Sequence, residues 1–304
     1  MKTTKLLVSL ALILALTFSL VSFAMAEETV EYPTYHYPLK GSEIRVTPLD
    51  ENRCEADGGY AAHGQYLIRG NYLICYGECE EENAVSIIWD YMAGDADLEV
   101  LGGSASAFRI GEDNTLTKVN TYALALRGSQ ALFIHDEENP NEIMMISFYG
   151  GAAYEAVGPC LIADDVLYAY GEVTGGNESW GPMLWPSVVG AYSINVVDEN
   201  DEDYDEEALN NTLTPQTLYW FADNENVVLI LRGEDAPECA IINDSTAYGY
   251  GIFYATGAYS IESDTITLSG EATNPDATGA TSVWQQRVGT YTLDEEEMTA
   301  TRVE

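Results

Sequence analysis

Apolar and polar residues alternate along much of the chain, a pattern that is typical of β-strands with one buried side. In residues 257–272, Tyr259 and Ile261 share one side of a strand, a polar turn follows, and Ile266 and Leu268 resume the alternation. After residue 26, no stretch shows a convincing helical period. The pattern therefore predicts an all-β fold. The other strands predicted in the middle of the chain are 119–126, 131–135, 143–149, 183–189 and 191–197.

The same pattern of residues occurs three times, in segments that align without a gap from Gly64, Gly158 and Gly257. Each segment is preceded by an aromatic residue four positions upstream, ends in a Gly-Glu pair, and is followed by a tryptophan with a glycine five residues later. Further upstream, the run from Tyr35 matches the run from Tyr122. This internal repetition predicts three modules, at roughly 28–99, 110–197 and 208–304. We expect three tandem small antiparallel β-barrels or sandwiches, each an up-and-down meander whose closure hides its strand edges.

Three runs near the end of the chain resemble bacterial lipocalin-like (calycin-type) domains. They are LYWFADNENV from Leu218, GAYSIESDTITLSGE from Gly257 and GTYTLDEEEMTATRV from Gly289. The first copy departs from this pattern, because it has GDADL at Gly94 where the others have GAYSI or GTYTL. The resemblance implies a small barrel that holds a small apolar ligand or none, and it transfers no catalytic residues.

Residues 1–26 have the three parts of a secretory signal: Lys2 and Lys5, an apolar run, and Ala24-Met25-Ala26 as the cleavage site. The alternative, an uncleaved membrane anchor, is less favoured because acidic residues follow at once. The chain has 12 basic and 50 acidic side chains. Without the signal, 10 basic residues remain and the net charge is −40. We therefore expect a secreted, extracellular or periplasmic protein that is not inserted in a membrane and does not bind nucleic acid.

The five cysteines are too few for a disulfide scaffold, and their odd number leaves at least one thiol unpaired. Their spacings match no zinc site. The strand register places Cys75 and Cys160 on the inward side, so we interpret both as core residues.

The tryptophans are the main candidates for ligand binding. Trp89, Trp185 and Trp284 recur with the repeat, which favours a structural role at one end of each barrel over an exposed platform for sugar rings. Trp180 does not recur and lies in a glycine-rich loop, where binding residues are common. It is therefore the better candidate for an exposed contact.

Acidic residues offer weaker candidates. The run 198–207 invites weak calcium binding because alternating carboxylates suit this cation, but it lacks the glycine of an EF-hand loop, and a solvated linker is favoured. The recurring Glu78, Glu172 and Glu271 are interpreted as exposed turn residues rather than catalytic carboxylates. The calcium candidates in the run are Asp198, Asp201, Asp203 and Asp205.

The sequence contains no recognisable catalytic motif or cofactor site, so a non-enzymatic binding or adhesion-type protein is the first hypothesis. Its ligand would be a glycan or a small apolar molecule, and tandem copies would add avidity. Two alternatives stay open. One is a secreted glycan hydrolase that uses carboxylates the sequence does not single out, and the other is a purely structural surface protein with filled barrels.

Overall fold

The computed structural model describes residues 32–81, 86–98, 103–126, 129–149, 152–163, 165–196, 211–231, 238–245, 251–274 and 279–303. The predicted signal segment 1–26 and the calcium candidates Asp198, Asp201, Asp203 and Asp205 lie outside the described residues. In the described part, no helix is both long and apolar enough to cross a membrane.

The predicted all-β fold is confirmed, with strands that pair mostly with their neighbours in the chain. The first seven strands and residues 116–119 of the eighth form group 1. A parallel bridge between His36 and Thr115 joins the two ends of this group. The strands are β1 (Tyr35–Leu39), β2 (Ser42–Pro48), β3 (Arg53–Asp57), β4 (Ala61–Arg69), β5 (Tyr72–Tyr76), β6 (Ala96–Leu98), β7 (Gly103–Ile110) and β8 (Leu116–Leu126).

Group 2 starts with residues 120–126 of β8 and returns to that strand. Its pairings run from β8 through seven strands in total, and Leu213 closes the ring by pairing in parallel with Leu124. The two-residue strand β13 pairs with β11 outside the ring. The strands after β8 are β9 (Ser129–His135), β10 (Glu142–Tyr149), β11 (Ala152–Ala163), β12 (Val166–Ala169), β13 (Gly175–Gly176), β14 (Gly190–Asn195) and β15 (Thr212–Pro215).

Group 3 is a closed barrel of seven strands in chain order. An up-and-down ring with seven strands begins and ends in the same direction, so its last pairing, between Trp220 and Thr299, is parallel. The strands are β16 (Thr217–Phe221), β17 (Asn224–Leu231), β18 (Glu238–Ser245), β19 (Gly251–Glu262), β20 (Thr265–Ala272), β21 (Gly289–Asp294) and β22 (Thr299–Arg302).

Groups 1 and 2 share β8, so one long strand belongs to both sheets. As a result group 1 continues to residue 119, beyond the end that the repeat indicates for the first module. The sequence pattern could not show this sharing, because a strand that serves two sheets alternates in the same way as any other strand.

A short helix interrupts the strands at each recurring tryptophan. Trp89 and Trp284 lie within their helices, and Trp185 directly follows its helix. The helices are α1 (Ser86–Ala93), α2 (Gly181–Leu184) and α3 (Ala280–Arg287). Short 3₁₀ turns lie at Glu112–Asn114 and Trp185–Ser187. The prediction of a strand over 183–189 is therefore wrong, and so is the expectation of no helix. These helices have one or two turns, too few for the 3.6-residue period to stand out, and their position is set by packing.

The inward side chains of each group form an apolar cluster that includes one recurring tryptophan. Cys75 and Cys160 are fully buried in these clusters, as the strand register predicts. All five cysteines are free thiols, and burial raises the pKa of Cys160 to about 12. Apolar side chains of the described strands thus line the interior of each group.

Candidate functional site

The recurring tryptophans Trp89, Trp185 and Trp284 are part of the core, with at most 2 % of each residue exposed. Each indole lies flat against the glycine that opens its repeat. A Cβ added to Gly158 would lie 2.2 Å from Cζ2 of Trp185, and Gly64 and Gly257 show the same close approach. A buried ring cannot stack on a sugar, so these three tryptophans are removed from the candidate binding residues.

Hydrogen bonds of the indole nitrogens differ among the copies. Nε1 of Trp89 donates to the carbonyl of Gly77 at 2.7 Å, and Nε1 of Trp185 donates to that of Gly171 at 3.2 Å. Both glycines have positive φ, which turns the chain back over the barrel end. In group 3 the side-chain amide of Gln285 donates to the equivalent carbonyl of Gly270 instead, and among the described residues Nε1 of Trp284 has no partner.

Trp180, in contrast, is at the surface, as the sequence predicts for a loop residue. It is 43 % exposed, and its ring lies 4.9 Å from the ring of Tyr154 with a tilt of 50°. Tyr154 is the third residue of β11 and lies on the same side of the strand as the inward Ala156 and Gly158. We call the pair Trp180 and Tyr154 the aromatic surface; it lies at one end of group 2.

The loop that carries Trp180 is held in place by its own polar groups. Oδ1 of Asn177 accepts hydrogen bonds from the backbone N–H groups of Ser179 and Trp180, at 3.1 and 3.2 Å. The backbone N–H of Asn177 donates to the carbonyl of Glu155 at 3.0 Å. This ties the loop to β11, so Trp180 is presented in a fixed position and a ligand need not order it.

Gly176 permits the close approach of this loop to β11. Its φ is +100°, and a Cβ there would lie 2.7 Å from Cα of Ala156. Any other residue would push the loop away from the strand and move Trp180 with it. Met183, on the short helix of residues 181–184 that directly follows Trp180, is 68 % exposed.

Sequence reasoning did not select Tyr154 as a binding residue. A signal was present, since an aromatic residue stands four positions before the repeat glycine in all three copies, as Tyr60, Tyr154 and Phe253. Tyr60 is 76 % exposed and Phe253 is partly buried, so the environment of this position differs from copy to copy.

The basic side chains are mostly engaged by carboxylates, which limits the ligands that the surface can hold. Lys118, for example, pairs with Asp95 at 2.6 Å in an open cleft of about 460 Å³. An acidic glycan would therefore find few free cations in the described part of the chain. Ion pairs of arginine in the described residues include Arg45–Asp57, Arg53–Glu80, Arg69–Glu155, Arg109–Asp136 and Arg287–Asp223.

A second cleft, of about 370 Å³, lies beside α1 and is lined by Glu78, Cys79, Glu81 and Asp90 among others. Burial raises the pKa of Cys79, and its Sγ donates to Oε2 of Glu81 at 3.2 Å. A raised pKa disfavours the thiolate, which is the nucleophilic form of cysteine.

The recurring carboxylates Glu78, Glu172 and Glu271 are all exposed, as predicted for turn residues. In the described ranges, no three His, Cys, Asp or Glu side chains are grouped so that they could hold a metal ion. The aromatic surface is therefore the best-defined candidate site.

No protein-family model, curated protein or solved structure matches this chain. The resemblance to lipocalin-like domains accordingly stays a hypothesis.

Proposed function

We propose that the protein is an exported, non-enzymatic binding protein that holds a glycan against the aromatic surface of Trp180 and Tyr154. The observation that carries the proposal is an exposed indole that packs on a second ring and is fixed by the Asn177 turn. Sugar rings present C–H groups to aromatic faces, whose negative quadrupole attracts them.

Two further observations support a surface site and an uncharged ligand. The inward side chains of groups 2 and 3 form buried apolar clusters that include a recurring tryptophan, which favours a ligand site at the surface over one inside a barrel. The large negative charge of the chain and the pairing of its basic residues disfavour acidic glycans. Neutral or amino-substituted sugars are the expected class.

A glycan array probed with residues 27–304 tests the proposal. We expect saturable binding of neutral or amino-sugar glycans, and a loss of at least tenfold in affinity for Trp180→Ala. Tyr154→Ala should weaken the same interactions because it removes the ring that supports Trp180.

Tyr60→Ala is the matched control, since it removes an exposed aromatic side chain from the equivalent position of group 1. It should leave glycan binding unchanged. Absence of binding at high protein concentration, or equal losses in Tyr60→Ala and Trp180→Ala, would contradict the proposal and favour a structural role.

A further inference from the structure

Group 1 and group 2 pack through the outer sides of their sheets. The outward side chains of β4, β5 and β7 lie against those of β9 and β10 in one buried apolar cluster. We call the outer side of β4, β5 and β7, and of the equivalent strands in the other groups, the A-face. The outer side of β9 and β10 and of their equivalents is the B-face. The cluster contains Leu67, Tyr72, Ile74, Ala105 and Ala107 from the A-face of group 1, and Leu132, Ile134, Ile146 and Phe148 from the B-face of group 2.

Groups 2 and 3 pack through the same two faces. The A-face of group 2, on β11, β12 and β14, meets the B-face of group 3, on β17 and β18. The match holds residue by residue, since the ungapped repeat aligns Ile74 with Tyr168, and these pair across the sheet with Ala107 and Ala191. The second cluster contains Val166, Tyr168 and Ala191 from group 2, and Val228, Ile230, Ala240 and Ile242 from group 3.

Joining an A-face to a B-face is a head-to-tail contact, which uses different surfaces on its two sides. Such a contact repeats from unit to unit, into a closed ring or an open filament, unless something stops it. Two faces are left over, the B-face of group 1 and the A-face of group 3, and their residues differ sharply from the buried ones.

The A-face of group 3 carries hydroxyl groups where the other A-faces carry apolar side chains. Thr267 stands at the position of Ile74 and Tyr168, and its cross-strand partner is Thr290 at 3.2 Å between the hydroxyl oxygens. Ser260 stands at the position of Leu67. The two threonine hydroxyl groups share a single hydrogen bond, so burial against an apolar face would still take the remaining O–H and lone pairs away from water.

The B-face of group 1 carries an ion pair at the corresponding place. Arg45 and Asp57 face each other across β2 and β3 and pair at 2.6 Å, whereas Leu132 and Ile146 occupy the aligned positions in group 2. Docking an apolar face here would remove both charges from water, which is strongly unfavourable for ions that now keep part of their hydration.

We infer that groups 1 and 3 are end caps, and that their polar outer faces stop the head-to-tail array after the third group. Repeat arrays need end units with polar outer faces to stay soluble. The caps here are specific, because each cap replaces the residues that make the equivalent internal contact.

Restoring the apolar faces tests the inference on the full mature chain. The A-variant carries Ser260→Leu, Thr267→Ile and Thr290→Ala, the residues of group 1, and the B-variant carries Arg45→Leu and Asp57→Ile, the residues of group 2. Light scattering after size-exclusion chromatography should give the mass of one chain for the wild type and for each variant alone. An equimolar mixture of the two variants should give roughly twice that mass.

A mixture that stays at the mass of one chain, while both variants keep the wild-type near-ultraviolet circular dichroism, overturns the inference. So does a wild-type chain that forms assemblies growing with concentration. If the variants do not fold, the reverse experiment decides: Leu132→Arg with Ile146→Asp moves the cap into the internal interface and should increase the radius of gyration. An unchanged radius and an unchanged unfolding midpoint would overturn the inference as well.

Discussion

Groups 2 and 3 have the same arrangement of strands and short helix around the recurring tryptophan, but different residues just before it. Five residues before the recurring tryptophan, group 2 has Trp180 and group 3 has Gly279. Trp180 lies on Tyr154 with its indole exposed, whereas the backbone of Gly279 covers Phe253 so closely that a Cβ would lie 2.4 Å from that ring. Group 3 has this arrangement without an exposed indole, so the fold does not require one. Trp180 therefore distinguishes group 2 from group 3.

The largest expected effect is a difference in the free energy of unfolding between the alanine variants of Trp185 and Trp180. Trp185→Ala should lower the free energy of unfolding by about 4 kcal/mol, because it empties the end of a packed interior. Trp180→Ala should change it by no more than about 0.5 kcal/mol, as surface substitutions do. Equilibrium unfolding in urea, followed by circular dichroism, measures both. Similar losses in the two variants would show that Trp180 is also structural.

A smaller effect is expected where the recurring tryptophan touches its glycine. Gly158→Ala should lower the free energy of unfolding by about 2 kcal/mol, because the new Cβ overlaps the Trp185 ring. Gly175→Ala is the control, since its Cβ would lie 3.5 Å from Val157, an ordinary contact. The same urea unfolding experiment checks the pair, and a neutral Gly158→Ala would mean that the indole has room to move.

Gly279→Ala should destabilise group 3 by about 1–2 kcal/mol, since its φ of +79° is unfavourable for alanine and Phe253 is in the way. Gly270→Ala has a similar φ of +76° with no atom within 4 Å of the new Cβ, so it isolates the backbone contribution. Thermal unfolding of the two variants gives the difference. Equal losses of stability in the two variants would show that the Phe253 ring can move away from the new Cβ at no cost.

The smallest effect depends on pH and compares groups 1 and 3. Oε2 of Glu81 accepts the backbone N–H of His63 at 2.9 Å, and at the equivalent place Oδ1 of Asn274 accepts that of Thr256 at 2.9 Å. Burial acts to raise the pKa of Glu81, but hydrogen bonds from His63 and Cys79 outweigh it and lower the pKa to about 2.

A lowered pKa means that the contacts of the Glu81 carboxylate stabilise the fold fully above its ordinary pKa of 4.5, and that this contribution is lost as the pH falls through about 2. At pH 5 the wild type should therefore exceed Glu81→Gln in unfolding midpoint. The difference should shrink between pH 4.5 and 2. A difference that does not change over this range would contradict the assignment, and Asn274→Ala, which removes a group that does not titrate, supplies the pH-independent reference.

Much of the architecture was readable from the sequence, because strand alternation and the recurring Gly and Trp positions are local signals. The burial of Cys75 and Cys160 followed from the same alternation. The short helices were missed because α2 has a single turn and α1 and α3 have about two. Trp180 was recognised as a loop residue, but its contact with Tyr154 joins residues 26 positions apart and no periodic pattern encodes it.

The sequence by itself determined the strand content and the interior positions, since a side chain's face in a strand follows from its place in a period of two. It also contained the polar end faces, although nothing local marks them as ends. Only the tertiary structure decided that β8 serves two sheets, that three tryptophans are enclosed while Trp180 is open, and which outer faces meet. These features depend on which strands close each ring and which faces lose water, and both are decided between distant parts of the chain.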